Sequence, residues 1–186
     1  RRGYRALWKH LKAVSLSSQR RDMKDLGIHF DWWKGESDVN GRMKKLIPLL
    51  QKKKTAVLSN GAWIIPLPKR KDEKELPPLL LVKSDGAYLY ATSDLATIDD
   101  RLKKIRPHLM VYVVDQRQSL HFEQLFRACE VLSWSKKTQM VHVGFGTMNG
   151  PDGKPFKTRA GGVMTLSAMI SLVKTKARER ILASTF

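Results

Sequence analysis

The sequence predicts an α/β protein built on a parallel sheet, and two observations carry that prediction. Short, strongly apolar runs at residues 79–82, 110–114 and 140–143 read as buried strands. Between them lie stripes at helical spacing, first Leu95, Ile98, Leu102 and Ile105, then Phe122, Leu125, Phe126, Cys129 and Leu132. Strands that alternate with amphipathic helices predict crossover connections, with helices covering both faces of the sheet. A third observation concerns partners. The chain carries 35 Lys and Arg against 17 Asp and Glu, a net charge of +18, on a globular background of 42% hydrophobic residues. Such an excess favours polyanions: nucleic acid, nucleotide phosphates or an anionic membrane surface.

Taken in order, residues 4–26 place Tyr4, Leu7, Trp8, Leu11, Val14 and Leu16 at roughly helical spacing, with Arg5, Lys9, Lys12, Arg20, Arg21 and Lys24 between them. One long helix or two short ones fit, with a basic face that is either solvated or set against RNA. Leu26, Ile28 and Phe30 alternate with Gly27 and His29, which predicts a short strand. Gly35, Glu36 and Ser37 make a turn, and Ser37 or Asp38 caps a helix that runs to about Lys53. Met43, Leu46, Ile47 and Leu50 form its buried stripe, Pro48 kinks it, and Lys52 to Lys54 complement its dipole. Residues 56–58 and 62–66 flank Asn60-Gly61, a strong hairpin signal. The mixed charges of residues 69–75 and Pro77-Pro78 read as a solvated loop. Residues 83–86 then turn the chain, residues 87–90 return it, Pro107 ends the following helix, and a last helix is expected over residues 165–182.

At 186 residues the chain is long enough for one core, or for part of a larger fold. No stretch approaches the ~18 uninterrupted apolar residues of a spanning helix, so no membrane partner is expected. Arg1-Arg2-Gly3-Tyr4 offers neither an initiator Met nor a secretory signal core, and reads as a cut from a longer chain. Cys129 is the single cysteine, which leaves no disulfide framework and no zinc cluster; a cytoplasmic protein fits.

In sheets of this kind ligands bind where strands end and helices begin. Three such junctions stand out: residues 90–94, 115–121 and 144–162. Residues 143–162 hold half of the 12 glycines together with Lys154, Lys157 and Arg159. Glycines let backbone amides approach an anion and the cations neutralise it, which suits a polyphosphate. The stretch is not a Walker A loop, and a surface turn tipped by Pro151-Asp152-Gly153 is the competing reading. Asp94 is a carboxylate at a junction of a very basic chain. It is suited either to the dipole at a helix start or to a cationic ligand, which a guanidinium would pair bidentately. Gln118 and His121 share a helical face, as ligand contacts or as polar residues at the helix start. Local spacing gives His121 no Ser, Cys or Asp partner.

Four stretches, LGIHFDWWKGES, LLLVKSDGAYLYATSDLA, VYVVDQRQSLHFEQLF and VHVGFGTMNGPDGKPFKTRAGGV, occur in order between Leu26 and about Leu172. On these the chain resembles the arginyl-tRNA synthetases, which are class I aminoacyl-tRNA synthetases. The segment GKPFKTRAGG is similar to a divergent KMSKS loop. The resemblance implies the second half of a class I Rossmann-like parallel sheet over residues 79–186. A small α+β connecting insertion, helical and hairpin-containing, would precede it over residues 1–78. It further implies arginine–tRNA ligase activity, with L-arginine, ATP and tRNA(Arg) as partners, ATP consumed as substrate, magnesium assisting, and a monomeric protein. By position, Tyr90, Asp94 and Gln118 match the residues that read the arginine side chain. His142, Gly144, Met148, Lys154 and Lys157 match the ATP site, and Lys157 and Arg159 the catalytic phosphate contacts. No residue is assigned to a metal. Glu36 and Ser37 match a recurrent Glu-Ser to which no physical role attaches. The H-x-G-H segment of class I enzymes does not occur: His10, His29, His108, His121 and His142 all lack that context. The expectation is therefore a catalytic-domain segment inactive by itself. The alternative is a synthetase-derived module that binds polyanions without catalysis.

Overall fold

The computed structural model describes residues 2–71, 75–147, 149, 153 and 165–184. It forms two compact units, Arg1–Trp33 with Met148–Phe186, and Lys34–Thr147. In the first unit, the stripe of Tyr4, Leu7, Trp8 and Leu11 belongs to one long helix, α1 (Arg2–Asp25). Its C-terminus closes where Ile28 N–H donates to the Met23 carbonyl at 2.9 Å and Gly27 takes a φ of +70°. The strand expected from Leu26 to Phe30 does not form. Leu26 and Gly27 are consumed by that turn, and Ile28 and Phe30 remain exposed with no ladder beside them. Alternation predicts a strand only where a partner strand exists; here Phe30 instead sets its ring edge-on to Trp33, 5.3 Å away.

The second unit begins with a reciprocal turn. The Gly35 amide donates to the Asp38 carboxylate and the Asp38 amide to the Gly35 carbonyl, both at 2.9 Å. A 3-10 turn, Glu36–Val39, leads into α2 (Asn40–Lys52), which buries Met43, Leu46, Ile47 and Leu50 as the periodicity predicts and runs on through Pro48. The helix ends on Lys54 at φ 55°, with Lys54 N–H donating to the Gln51 carbonyl and Thr55 N–H to the Leu50 carbonyl. The predicted hairpin pairs β1 (Val57–Ser59) with β2 (Ala62–Ile65) around Asn60 and Gly61. Their φ values of 47° and 77° are the doubly left-handed pair that a two-residue turn needs to match strand twist.

β3 (Leu79–Val82) corrects the expected sheet. It pairs antiparallel with β2, Ile65 opposite Leu79 and Ile64 opposite Leu80, as the third strand of β1-β2-β3. The run is buried, as expected, but burial does not encode a neighbour's direction, and the hairpin supplies the neighbour. The expected return strand at residues 87–90 shrinks to one bridge, Val82 to Tyr88, because Tyr90 already opens α3 (Tyr90–Lys104). The Thr92 hydroxyl donates to the Leu81 carbonyl at 2.5 Å and fastens the start of α3 to β3. Leu95, Ala96 and Ile98 of α3 are fully buried.

Two buried carboxylates on α3 tie it to the start of the unit. Asp99 takes Arg42 at 2.5 Å and Lys103 at 2.9 Å; Asp100 takes Lys34 and Lys104, each at 2.8 Å. The hydrogen bond from Lys104, then that from Lys34, hold the Asp100 carboxyl down at about 2.

The parallel pair is β4 (Leu109–Asp115) with β5 (Gln139–Phe145), in register from Leu109 opposite Gln139 to Asp115 opposite Phe145. Between them α4 (Ser119–Val131) buries Phe122, Leu125, Ala128 and Cys129. Burial pushes the Cys129 thiol up to about 12. Met110, Tyr112, Val114 and Met140 share one face of the pair and join the core. On the other face Val111, Val113, Val143 and Phe145 are 49%, 66%, 48% and 52% exposed. The expectation of helices on both faces is thus corrected: the described residues cover one. In the first unit α5 (Leu166–Ser184) starts where the Thr165 hydroxyl accepts from the Ala168 amide at 3.2 Å, close to the predicted limits.

Candidate functional site

Helical spacing puts Tyr90, Asp94, Thr97 and Arg101 on one side of α3, away from the buried Leu95 and Ile98. That side faces the carboxyl end of β4, where Tyr112 and Val114 point the same way. The chain leaves β4 through a 3-10 turn, Gln116–Gln118, before α4 begins. Asp115 fixes the turn: its carboxylate accepts from the Arg117 amide at 2.8 Å and from the Arg117 guanidinium at 3.0 and 2.7 Å. The guanidinium in turn holds the Asp115 carboxyl below its usual range. Gly144 on β5 passes under the same turn. A Cβ there would stand 3.2 Å from the Gln116 Cα, so only glycine fits without moving the backbone that carries Gln118.

These elements enclose a cleft of about 590 Å³. The three residues expected to read a cationic side chain, Tyr90, Asp94 and Gln118, all line it, as do His121 and Glu36. His121 Nε2 lies 2.7 Å from the Asp94 carboxylate, and both side chains are partly exposed. An ionised carboxylate only accepts, so the imidazole donates. This pairing revises two expectations. Asp94 is the fifth residue of α3 rather than a first-turn carboxylate, and His121, unpartnered in local sequence, has a partner 27 residues away.

Behind them the aromatic floor is continuous. His121 meets the Phe122 ring edge-on at 5.4 Å, while Tyr112 lies 5.1 Å from it and His142 stacks on it at 4.7 Å. His142 Nε2 donates to the Val114 carbonyl at 3.1 Å, which places its proton on that nitrogen and turns the ring across the strand pair. The Arg101 guanidinium covers the Tyr112 ring at 5.3 Å, and burial raises the Tyr112 hydroxyl above its ordinary value.

Glu36 is the member that sequence reasoning left without a role. It lines this cleft and also an adjoining groove of about 490 Å³, shared with Ser37, Asn40, Tyr88 and Tyr90. The only signal for it in the sequence was the Glu-Ser pair inside LGIHFDWWKGES. Two carboxylates, two phenols and an amide around one cleft suit a planar cation with several donors. Of the residues expected at a nucleotide, His142 and Gly144 lie on β5 beside this floor and turn. Met148, Lys154, Lys157 and Arg159 lie outside the described residues.

Comparison with known proteins agrees with the resemblance. A family model described as tRNA synthetases class I (R), catalytic domain, matches residues 2–184. The arginine–tRNA ligase of Hyphomonas neptunium is 45% identical over 186 residues, covering 99% of this chain and 32% of that protein. The arginine–tRNA ligase of Agathobacter rectalis is 43% identical over 182 residues, covering 97% and 30%. The arginyl-tRNA synthetase structure from Plasmodium falciparum superposes with a TM-score of 0.77 at 24% identity, over 96% of this chain and 29% of that one. That from Thermus thermophilus gives 0.67 at 18% identity, over 89% and 34%. The α/β fold is therefore of the class I kind, and the chain spans about a third of the length of the relatives it matches.

Proposed function

The chain belongs to the family of class I arginyl-tRNA synthetase catalytic domains. From that premise we propose that its cleft binds the side chain of L-arginine for an ATP-dependent arginine–tRNA ligase. The observation that carries this reading is the Asp94 carboxylate, oriented by His121 at 2.7 Å in a cleft lined also by Tyr90 and Gln118. Asp94 takes the guanidinium through charge-assisted bonds, and Gln118 and the Tyr90 hydroxyl add neutral ones. Glu36, on the same cleft, supplies a second negative charge.

ATP would lie along β5, with His142, Gly144 and Met148 beside the adenine and Lys154, Lys157 and Arg159 on its phosphates. The arginine carboxylate attacks the α-phosphorus, and the bond to the β-phosphate oxygen breaks, releasing pyrophosphate. The adenylate then passes arginine to a ribose hydroxyl at the end of tRNA(Arg). This chain's share of catalysis is positioning and the neutralisation of developing phosphate charge by Lys157 and Arg159. Magnesium would arrive with the triphosphate. Among the described residues no group of three His, Cys, Asp or Glu side chains converges to hold it, and no step is assigned to it. Residues 1–78 are read as the connecting insertion and 79–186 as the nucleotide-binding part. With no H-x-G-H among its 186 residues, the chain alone is inactive in this reading.

The test is Asp94→Ala in the full-length protein. A charge-assisted hydrogen bond contributes about 1.5–3 kcal/mol, so kcat/KM for arginine should fall roughly 10- to 150-fold. Discrimination against lysine should weaken with it. Unchanged selectivity removes Asp94 from the role. A second reading, a non-catalytic polyanion-binding module, draws on the +18 charge. Salt-sensitive RNA binding with no arginine binding would favour it.

A further inference from the structure

The cleft lies at the carboxyl end of β4; the amino ends of β4 and β5 form a different surface. Residues 105–108 lead α3 into β4, and residues 132–138 lead α4 into β5. The two connections are locked into one floor. The Thr138 hydroxyl donates to the Pro107 carbonyl at 2.6 Å, and the Gln139 amide to the His108 carbonyl at 2.8 Å. Over that floor opens a concave shelf of about 780 Å³, lined by Arg106, His108, Trp134, Lys136 and Lys137. Lys136 and Lys137 also edge an adjoining hollow of about 530 Å³.

The charge of the shelf is uncompensated. Among the described residues no carboxylate pairs with Arg106, Lys136 or Lys137, all three of them exposed. The acidic groups nearby are committed elsewhere. Asp99 and Asp100 hold Lys103 and Lys104 on α3, and both Glu130 oxygens take Arg70, at 2.7 and 2.6 Å. Two helices, α3 and α4, end here, and their carbonyl ends make the cations tolerable. The dipoles do not account for cations gathered around a hollow with a half-buried indole in its wall. A flat anionic membrane would not enter such a hollow, whereas a ridge of linked phosphates fits it.

We propose that this shelf is a docking site for the sugar–phosphate backbone of RNA, separate from the arginine cleft. Lys136, Lys137 and Arg106 neutralise successive phosphates, and the contact reads charge rather than base sequence. Seven-residue strands separate it from the cleft, about 20 Å at the usual rise, so one RNA can touch the shelf without occupying the cleft.

The experiment compares the full-length protein with its Lys136→Ala/Lys137→Ala and Lys136→Arg/Lys137→Arg variants. Binding of a labelled tRNA(Arg) transcript and of an unrelated RNA hairpin is followed by anisotropy between about 50 and about 200 mM salt. The alanine variant should lose about 2 from the slope of log affinity against log salt for both RNAs, so that the salt rise costs it roughly tenfold less affinity. The arginine variant should keep the original slope. Unchanged slopes in the alanine variant overturn the proposal, as does an equal loss in both variants, which would report a fold effect. A loss confined to tRNA(Arg) overturns the backbone-reading claim. Calorimetric arginine binding on the same samples tests the cleft separately, since it should be equal in all three proteins.

Discussion

His121 lies 2.7 Å from Asp94 but 27 residues away in sequence, and its value to the cleft is directional. A carboxylate on a helix surface rotates freely; one that accepts from a packed imidazole presents its second oxygen in one direction. The imidazole is itself wedged edge-on against Phe122. His121→Ala should therefore raise KM for arginine about five- to tenfold, the worth of one ordinary hydrogen bond, while kcat changes little. His121→Asn, which keeps a donor, should recover part of the loss. A fall in kcat with KM unmoved would show that His121 does not act through Asp94. At the same scale, the sequence marked Tyr90, Asp94 and Gln118 but not the bond that orders them. Nothing in a spacing of 27 announces that α3 and α4 start side by side.

Among the elements, α2 and α4 end alike, each with a non-glycine residue in the left-handed region: Lys54 at φ 55° and Ser133 at φ 57°. In both, the next amide reaches back five residues, Thr55 to the Leu50 carbonyl at 3.0 Å and Trp134 to the Cys129 carbonyl at 2.8 Å. The conformation is imposed by the closure, and a Cβ in it costs about 1–2 kcal/mol. Lys54→Gly should thus stabilise the protein by roughly 0.5–1 kcal/mol net, after glycine's greater freedom in the unfolded chain is subtracted. Urea unfolding measures this; a destabilised variant would mean that the lysine stem makes a contact of greater worth. The hairpin shows the opposite choice, with Asn60-Gly61 matching its turn, and for that reason it was legible in the sequence. β3 was legible as a buried strand but not as an antiparallel one. Leu79, Leu81 and Val82 encode an apolar surface, whereas direction is decided by which strand arrives beside it.

Across the whole molecule, the ties between α3 and the start of the second unit should yield to acid only at low pH. The Asp100 carboxyl titrates at about 2 rather than at its ordinary 3.8. A carboxylate depressed by folding contributes stability that is fully present above 3.8 and is lost as pH falls through about 2. Asp100→Asn should therefore lower the urea midpoint at neutral pH, and the difference from the unaltered protein should shrink across that window. A gap that is constant with pH would mean the carboxylate's charge contributes nothing. The class of fold, the order of most elements and the buried stripes of α2, α3 and α4 follow from periodicity and punctuation. The exceptions, the 26–30 segment, the direction of β3 and the uncovered side of the parallel pair, each depend on what lies next to a segment. Local pattern does not carry that information.

The uncovered side of the parallel pair has a consequence at the bench. Among the described residues, Val111, Val113, Val143 and Phe145 present an exposed apolar surface, the kind of surface that lights up solvatochromic dyes. A melting curve of these 186 residues followed with such a dye should start bright and show a reduced rise on heating. Intrinsic tryptophan emission, reported from within the second unit by the half-buried Trp63 and Trp134, is the sounder reporter of its unfolding.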